Sequence, residues 1–251
     1  AHYLPFNTGC NVISILDVSY LKFPELFTKK DLLKLKYWGK YSVGRAQKII
    51  TISESSKNDI IKAYRVKPEK VAVVYPGIKK IEASKTLNME ELKSKFGISN
   101  KYILFVGTLQ PRKNISRLIH AFSKLETDKE LVIVGRKGWQ FDEILQAPEK
   151  YNVKDRVVFI HDAGDADLPS LYKNAEFFIL PSLYEGFGLP VLEAMSYGAP
   201  VITSNVSSLP EAGGDAALYV DPEDASDIAI KMQKLLNNED LRKDLIKKGH
   251  E

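Results

Sequence analysis

Glu185-Gly-Phe-Gly-Leu-Pro-Val-Leu-Glu193 is the most informative stretch of this chain, because two carboxylates flank a glycine-rich turn and a proline. A continuous helix would separate these carboxylates by about 12 Å along its axis and place them on different faces. Proline suits the first turn of a helix. The stretch therefore predicts a helix that begins near Leu189–Pro190, with Glu193 in its first turn and Glu185 on the loop before it.

This predicted helix start combines features that attract an anionic ligand with features that attract hydroxyl groups. Gly186 and Gly188 allow a tight turn and a close approach of the backbone to a ligand. The first N–H groups of a helix lack intrahelical acceptors and bind anions such as phosphate. Carboxylates repel phosphate, so we assign Glu185 and Glu193 to hydroxyl groups. The combination predicts a site for a phosphorylated sugar.

Short apolar runs alternate with amphipathic stretches on both sides of this site. The runs are rich in β-branched and aromatic residues, which is typical of strands buried on both faces of a parallel sheet. The alternation predicts an α/β fold with doubly wound, Rossmann-like parallel sheets and ligands at the carboxyl ends of the strands. Predicted strands are Asn11–Leu16, Lys48–Ile52, Val71–Val74, Tyr102–Gly107, Glu130–Gly135, Arg156–Ile160, Phe177–Leu180, Pro200–Thr203 and Ala217–Val220. Predicted helices span 31–44, 54–64, 89–96, 114–125, 140–150, 167–174, 189–197, 224–237 and 239–249.

A turn signal and a change of composition divide the chain into two predicted lobes. Tyr75-Pro-Gly-Ile78 is followed by a polar stretch from Lys79 to Lys85. We place the lobes at residues 1–78 and 79–251, with three strands before the boundary and six after it. The chain starts without methionine and stops at Glu251 inside a helical pattern, so we expect a fragment of a longer protein with an incomplete first lobe.

Composition limits the classes of protein to which the chain can belong. The 251 residues are 44% hydrophobic and 27% charged, with a net charge of +4, as in an ordinary globular protein. The single cysteine, Cys10, allows no internal disulfide, so a reducing compartment is the default expectation. No apolar run reaches the roughly 18 residues of a membrane span, and no signal peptide is evident. We expect a cytoplasmic protein.

A second motif, Phe105-Val-Gly-Thr-Leu-Gln-Pro-Arg-Lys-Asn114, predicts a strand, a loop and a helix with Asn114 as its N-cap. Arg112 and Lys113 end the loop, above the carboxyl edge of the sheet. Taken alone, they are as readily a solvated pair as a binding site. Together with the segment from Glu185 to Glu193, they predict a site for a diphosphate, because arginine offers bidentate geometry and lysine a point charge.

Other candidate motifs are weaker. Leu131-Val-Ile-Val-Gly-Arg-Lys-Gly138 runs from a strand into a turn but meets neither common nucleotide fingerprint. Asp165-Ala-Asp167 has the spacing of a metal-binding pair, yet Asp167 is better interpreted as a helix N-cap. Elsewhere no spacing of metal ligands stands out, so we predict no metal site.

The segment from Lys29 to Lys40 is basic, rich in leucine and aromatic. Such a segment is usually a domain helix with a solvated lysine face. The alternative is contact with an anionic membrane surface, and we keep this as a hypothesis of peripheral attachment at the inner face of the membrane. A nucleic-acid partner is not expected, because the positive charge is spread among acidic residues and no binding motif occurs.

These motifs together resemble the retaining glycosyltransferases of family 4, the group 1 glycosyltransferases, which have the two-lobed GT-B fold. The segments Phe105–Asn114, Phe177–Glu193 and Gly198–Asp221 are similar to the family's donor-lobe signature. The pair of glutamates eight positions apart is the most specific part. Asn11–Pro24 and Lys48–Ile61 look like the second half of the acceptor lobe, so the resemblance implies that the first half is absent.

The resemblance also implies roles for individual residues. Arg112 and Lys113 would bind the donor diphosphate, and Glu185 would contact hydroxyls of the donor sugar beside the reacting carbon. Glu193 would accept hydrogen bonds from the ribose. The remaining predicted donor-binding residues are Gly107, Thr108, Lys137, His161, Gly186, Phe187, Gly188 and Leu189.

The implied reaction is metal-independent transfer of a hexose, mannose or glucose, from a GDP- or UDP-sugar to an acceptor hydroxyl with retention. The acceptor would be a glycan or a lipid-linked sugar in glycan, polysaccharide or glycolipid biosynthesis. The family commonly has histidine before Asp17, and this chain has Leu16. Two alternatives therefore remain: a catalytically impaired nucleotide-sugar-binding fragment, and a related GT-B epimerase or phosphorylase.

Overall fold

A computed structural model describes residue 9, residues 11–78 and residues 87–251, and it shows two parallel α/β sheets in sequence order. Cys10 and the polar stretch that follows the predicted lobe boundary lie outside the described residues. The strands are β1 Val12–Ser14, β2 Lys48–Thr51, β3 Val71–Val73, β4 Tyr102–Val106, β5 Glu130–Val134, β6 Val157–Ile160, β7 Phe177–Leu180, β8 Val201–Ser204 and β9 Ala217–Val220. Every predicted strand is present, most of them shorter by one to three residues.

The helices follow the same alternation. They are α1 Ser19–Lys22, α2 Lys29–Arg45, α3 Glu54–Tyr64, α4 Met89–Phe96, α5 Ile115–Ser123, α6 Asp142–Lys150, α7 Leu168–Asn174, α8 Leu189–Ser196, α9 Leu209–Gly213, α10 Ala225–Asn237 and α11 Glu239–His250. Single turns of 3₁₀ helix occupy Pro24–Leu26, Pro68–Lys70, Pro111–Lys113 and Lys154–Arg156. The sequence prediction missed α1 and α9, which are too short to show a helical period. No helix within the described ranges is long and apolar enough to cross a bilayer.

Strand order explains where a ligand site can form. The first lobe has the order β1-β2-β3, and the second has β6-β5-β4-β7-β8-β9, with all pairs parallel. In the second sheet the chain proceeds outward from β4 through β5 to β6, then returns to β7 on the other side of β4. The loops after the neighbouring strands β4 and β7 lie at this topological switch point, which is where open α/β sheets bind ligands.

The two lobes have hydrophobic cores of very different size. In the second lobe, all of β7 and all of β4 except Val106 are inaccessible to solvent; Tyr102 to Phe105 and Phe177 to Leu180 are all at 0% exposure. Its core continues through α5, α8 and α10. The first lobe buries a much smaller cluster around Ile49 and Ile60. The hydrophobic contribution to stability, which scales with buried apolar area, is therefore concentrated in the second lobe.

Three predicted helix starts differ in detail from the structure. Asn114 precedes α5, but its side chain donates to the Pro181 and Pro222 carbonyls instead of capping the helix. Asp167 precedes α7, yet its carboxylate accepts from the Gly164 N–H and pairs with Lys95. In both cases a tertiary partner replaces the local cap. Glu193 is the fifth residue of α8, so it lies just beyond the first turn in which it was predicted.

Candidate functional site

Loops after β4 and β7 meet at the carboxyl edge of the second sheet because these two strands are hydrogen-bonded neighbours. The Leu183 N–H donates to the Arg112 carbonyl at 2.9 Å, and the Arg112 guanidinium donates to the Tyr184 carbonyl. The Asn114 side-chain amide also donates to the Pro181 carbonyl, at 2.9 Å. These bonds join two motifs that are about 70 residues apart in sequence.

Arg112 and Lys113 converge on the carboxylate of Glu185. The Lys113 ammonium lies 2.6 Å from Glu185 Oε1, and the Arg112 guanidinium lies 3.0 Å from Oε2. The Ser182 hydroxyl donates to Oε1 at 2.7 Å. Glu185 is 7% exposed and Lys113 is 8% exposed. The structure therefore brings together the three residues predicted to be catalytic, as a nearly buried cluster with more cations than anions.

The charge state of Glu185 follows from two opposing effects. Burial by itself would raise the pKa of this carboxyl, because desolvation penalises the charged form. The neighbouring Lys113 and Arg112 charges outweigh burial, and hydrogen bonds from Lys113 and Ser182 act in the same direction. The net result is a pKa below the ordinary value, so Glu185 is a carboxylate at neutral pH.

The start of α8 has the geometry of an anion site. Gly188 adopts φ 111°, which a residue with a side chain rarely tolerates, and an added Cβ would lie 2.9 Å from Leu209. The N–H groups of Phe187, Gly188 and Leu189 donate to none of the other described residues. These N–H groups lie two to four residues after Glu185, next to its cluster with Arg112 and Lys113. The α8 dipole adds partial positive charge there.

Glu193 lies apart from the Glu185 cluster and has a different partner. Its Oε2 accepts a hydrogen bond from the Tyr172 hydroxyl of α7 at 3.0 Å. Burial raises the pKa of Tyr172 well above its ordinary value, and the Glu193 charge adds to the effect, so the tyrosine stays a proton donor. Glu193 is half-buried, and a carboxylate has acceptor capacity beyond one hydrogen bond. It therefore keeps acceptor capacity for a ligand hydroxyl.

Turns after β4, β5 and β6 lie side by side at the same edge. The Leu109 N–H donates to the Arg136 carbonyl, and the Gly138 N–H returns to the Leu109 carbonyl. An added Cβ on Gly138 would lie 2.8 Å from Thr108 Cγ2, which shows how closely these turns pack. His161 contacts the Gly135 carbonyl through Nδ1 at 2.9 Å, and the Lys137 ammonium lies over the Phe141 ring. Gly107, Thr108, Lys137 and His161 are thus on adjoining loops, and their role in donor binding stays a prediction.

Sequence comparison agrees with this arrangement. Glycosyl transferases group 1 is the family that matches residues 88–251, which contain the whole cluster. The chain belongs to this family. Residues 14–80 match a second family, Glycosyltransferase Family 4. The resemblance drawn from the motifs is confirmed.

Relatives of this group 1 glycosyltransferase include two enzymes of O-antigen synthesis. It is 33% identical over 246 residues to O-antigen chain mannosyltransferase B of Escherichia coli, covering 96% of this chain and 65% of the relative. It is 32% identical to O-antigen chain mannosyltransferase RfbU of Salmonella typhimurium, covering 84% of this chain and 57% of the relative. The chain thus spans less than two thirds of the length of these relatives.

Solved glycosyltransferase structures share the fold. WaaG, a glycosyltransferase involved in lipopolysaccharide biosynthesis, superposes with a TM-score of 0.76 at 22% identity, covering 96% of this chain and 70% of WaaG. Anabaena HepE, in complex with UDP-glucose, superposes with a TM-score of 0.78 at 20% identity, covering 95% of this chain and 65% of HepE. The predicted α/β fold with two Rossmann-like parallel sheets is therefore confirmed as that of GT-B glycosyltransferases.

The sequence analysis of this glycosyltransferase missed several polar residues around the cluster. Ser182 binds Glu185 directly, and Ser207 and Ser208 both donate to the Glu185 carbonyl, at 2.5 and 2.9 Å. Serines are common in loops, so their type carries little signal. Only the spacing of Ser182, three residues before Glu185, could have drawn attention to it. Within the described ranges, no group of three or more His, Cys, Asp or Glu side chains is arranged to hold a metal ion.

Proposed function

We propose that this protein transfers a mannosyl group from a nucleoside-diphosphate sugar, a GDP- or UDP-sugar, to a hydroxyl of a growing glycan, with retention of configuration. One observation carries the proposal: Arg112 and Lys113 contact Glu185 immediately before the start of α8, where three N–H groups have no acceptor among the described residues. The named mannosyltransferases among the relatives support mannose as the sugar. HepE supports a nucleotide-sugar donor, since its structure holds UDP-glucose.

On this proposal the donor diphosphate binds where two cations already face a carboxylate. Negative charge grows on the departing phosphate as the bond to the sugar carbon breaks. Arg112, Lys113 and the positive end of α8 stabilise that charge without an added metal ion. Glu185 holds sugar hydroxyls and Glu193 holds the ribose. The departing phosphate takes the proton of the attacking acceptor hydroxyl.

A thermal-shift panel tests donor binding on the 251-residue chain. GDP-mannose, UDP-glucose, UDP-galactose and ADP-glucose are compared at fixed concentrations. A ligand at about a hundredfold excess over its Kd stabilises the fold by about 2.7 kcal/mol, which raises the melting temperature measurably. We expect a rise with one nucleotide sugar, unchanged by a chelator, and its loss in the variant Lys113→Gln.

Lys234→Gln is the matched control for this panel, because Lys234 is exposed on α10, outside the candidate site. It removes the same charge and should leave the rise intact. The absence of a shift with every nucleotide sugar would contradict the proposal. A shift abolished by the chelator would contradict its metal-independent form.

A second candidate function, a nucleotide-sugar-binding module without transferase activity, is favoured by one residue. Leu16 follows β1 at the site-facing end of the first sheet and is 57% exposed, where the family commonly has histidine. A transfer assay on a protein with a complete acceptor lobe separates the two functions. Release of free mannose or of a mannosylated acceptor supports the enzyme, whereas binding without product, restored to turnover by Leu16→His, supports the module.

We also propose that α2 brings the protein to an anionic membrane surface, where lipid-linked acceptors lie on the cytoplasmic side. Leu33 and Tyr37 are one helical turn apart and are 70% and 66% exposed. Helical spacing places lysines on both sides of this stripe: Lys29, Lys30, Lys36 and Lys40. A basic, aromatic helix face of this kind suits an anionic interface.

Sedimentation with vesicles tests the membrane proposal. We expect binding to vesicles that contain phosphatidylglycerol and none to phosphatidylcholine vesicles. Leu33→Ser with Tyr37→Ser should reduce the bound fraction, and Ile230→Ser, an equally exposed site on α10, should not. Equal binding of wild type and the double variant would refute this role of α2.

A further inference from the structure

Residues of the first lobe form hydrogen bonds with the backbone of the loop that joins Glu185 to α8. The hydroxyls of Ser53 and Ser56, at the start of α3, both donate to the Gly186 carbonyl, at 2.8 and 3.1 Å. Both serines are at 0% exposure. An added Cβ on Gly186 would lie 3.2 Å from Asp17 Oδ2 and 3.3 Å from Ile52. The lobes therefore touch at the residue that directly follows Glu185.

A second contact in the opposite direction lies beside the first. Glu211 of α9, in the second lobe, accepts from the N–H groups of Glu54 and Ser55, at 2.8 and 3.2 Å. It also accepts from the Tyr75 hydroxyl at 2.8 Å, and the Tyr75 ring lies 5.7 Å from the Phe187 ring. A carboxylate at the N-terminus of a helix is stabilised by the helix dipole and by charge-assisted bonds. Glu211 thus caps a helix of the other lobe.

In the loop before α8, the carbonyls of Glu185, Gly186 and Phe187 accept hydrogen bonds from the two lobes alternately. Ser207 and Ser208 of the second lobe hold the Glu185 carbonyl, and Ser208 also holds that of Phe187 at 2.9 Å. Among the described residues, only those of the first lobe donate to the Gly186 carbonyl between them. In a planar trans peptide, the carbonyl and the following N–H point in opposite directions. Fixing the Gly186 carbonyl therefore fixes the direction of the Phe187 N–H.

We propose that Ser53, Ser56 and Glu211 are positioning residues. They couple the relative placement of the two lobes to the orientation of the Phe187 N–H, which lies at the start of α8 and can donate a hydrogen bond to an anion. When the lobes separate, the Gly186 carbonyl loses both hydroxyls and the peptide is free to rotate. When the lobes are in contact, the Phe187 N–H is oriented to donate a hydrogen bond to phosphate. The ligand in this inference rests on the proposed function, but the coupling itself is a property of the protein alone.

Two variants of the 251-residue chain test the coupling. Ser56→Ala removes one hydroxyl from the Gly186 carbonyl without disturbing the Ser53 cap of α3. Glu211→Ala removes the cap of α3 from the second lobe, and Glu211→Gln is the conservative variant that retains one acceptor oxygen. Asn58→Ala is the control, because Asn58 is exposed on α3, away from the Gly186 carbonyl and Glu211 bonds.

The first measurement is amide hydrogen exchange without ligand. Ser56→Ala and Glu211→Ala should speed exchange over residues 186–189, with exchange in β7 and the core of α5 unchanged. Glu211→Gln should fall between wild type and Glu211→Ala. A purely structural role would instead speed exchange throughout α3 or the sheet. Exchange over 186–189 that matches Asn58→Ala in both alanine variants would overturn the proposal.

The second measurement is the Kd for UDP and GDP by calorimetry. Loss of one well-placed hydrogen bond, worth about 1 kcal/mol, corresponds to a Kd about fivefold weaker for the nucleotide that binds wild type. An unchanged Kd in both alanine variants would overturn the link to anion binding. If wild type binds neither nucleotide, the proposed function fails. The exchange result still decides whether contact between the lobes orients the peptide between Gly186 and Phe187.

Discussion

At the residue scale, Glu185, Arg112 and Lys113 form a nearly buried cluster of charges. A nearly buried carboxylate with two cations is stable only because each charge has a partner. Removing one partner of a buried ion pair costs about 3–5 kcal/mol, since the others are left uncompensated. The cluster has more cations than anions, and a bound phosphate would balance this excess positive charge. On the proposed function, stability and phosphate binding at this site are therefore linked through the Glu185 side chain.

Glu185→Gln should destabilise the free protein by about 3 kcal/mol, because Lys113 and Arg112 lose their counterion. The stabilisation conferred by a bound nucleoside diphosphate should increase, since phosphate then supplies the missing negative charge. Urea unfolding with and without the nucleotide measures both effects. Glu223→Gln, at an exposed site before α10, is the control. Equal unfolding free energies for wild type and Glu185→Gln would contradict the expectation.

Glu185 should also make stability depend on pH in the acid range. Its folded pKa lies below the ordinary 4.5, so the stabilising contribution is complete above about pH 4.5 and is lost as pH falls through the folded value. The difference in unfolding free energy between wild type and Glu185→Gln should therefore shrink as pH falls from 6 toward 3. Urea titrations across this range measure it, and a constant difference would be inconsistent with an ionised Glu185.

At the element scale, the start of α8 depends on backbone geometry that only one residue type provides. Gly188 combines φ 111° with close contact to Leu209. Its conformation turns the chain from the loop into the helix, where the N–H groups of Phe187, Gly188 and Leu189 donate to no other residue in the described part of the chain. Local strain at this position would therefore affect both helix and ligand site.

Gly188→Ala should destabilise the protein by about 1–3 kcal/mol, as expected for a side chain forced into a disfavoured conformation, and should weaken nucleotide binding. Gly44→Ala is the matched control. Gly44 lies within α2 and an added Cβ there meets nothing within 4 Å, so this change should be neutral or stabilise by up to about 1 kcal/mol. Thermal unfolding and calorimetry report both variants; a Gly188→Ala protein as stable as Gly44→Ala would show that the helix start tolerates a side chain.

At the scale of the whole molecule, two lobes with cores of unequal size are in contact beside the candidate site. The second sheet has six strands with several residues wholly buried, and the first has three short strands over a small cluster. The contacts that join them include hydrogen bonds of Ser53, Glu211 and the Tyr184–Asp59 pair, and ring contacts such as Tyr75–Phe187. Relative motion is the default expectation for two domains unless their interface is large and hydrophobic.

Hydrogen exchange should follow the difference in core size. Amides of β4, β5 and β7 should exchange only through global unfolding, whereas those of β1 to β3 should exchange through a lower-energy opening of the first lobe. We expect protection at least tenfold greater in the second sheet under native conditions. Equal protection in both sheets would mean that the lobes unfold as one cooperative unit.

Sequence alone was sufficient for the alternation of strands and helices, since apolar runs and helical periods are local properties. Chemical type and motif spacing marked Glu185, Arg112 and Lys113 as candidate residues, and the structure brings these three side chains together. The sequence could not show that two loops about 70 residues apart meet, because that depends on β7 pairing with β4 and not with β6. It also placed caps at Asn114 and Asp167 from local rules, and more distant partners took those side chains.

Only the tertiary structure showed that Glu185 is held by two cations, and that the next carbonyl is held by the opposite lobe. Motif spacing identifies residues that act together, but it contains no distances between elements. Those distances come from strand order and from packing of one lobe on the other. Burial of charge and the direction of a single N–H group follow from these long-range contacts, which is why the coupling between lobes was absent from the sequence prediction.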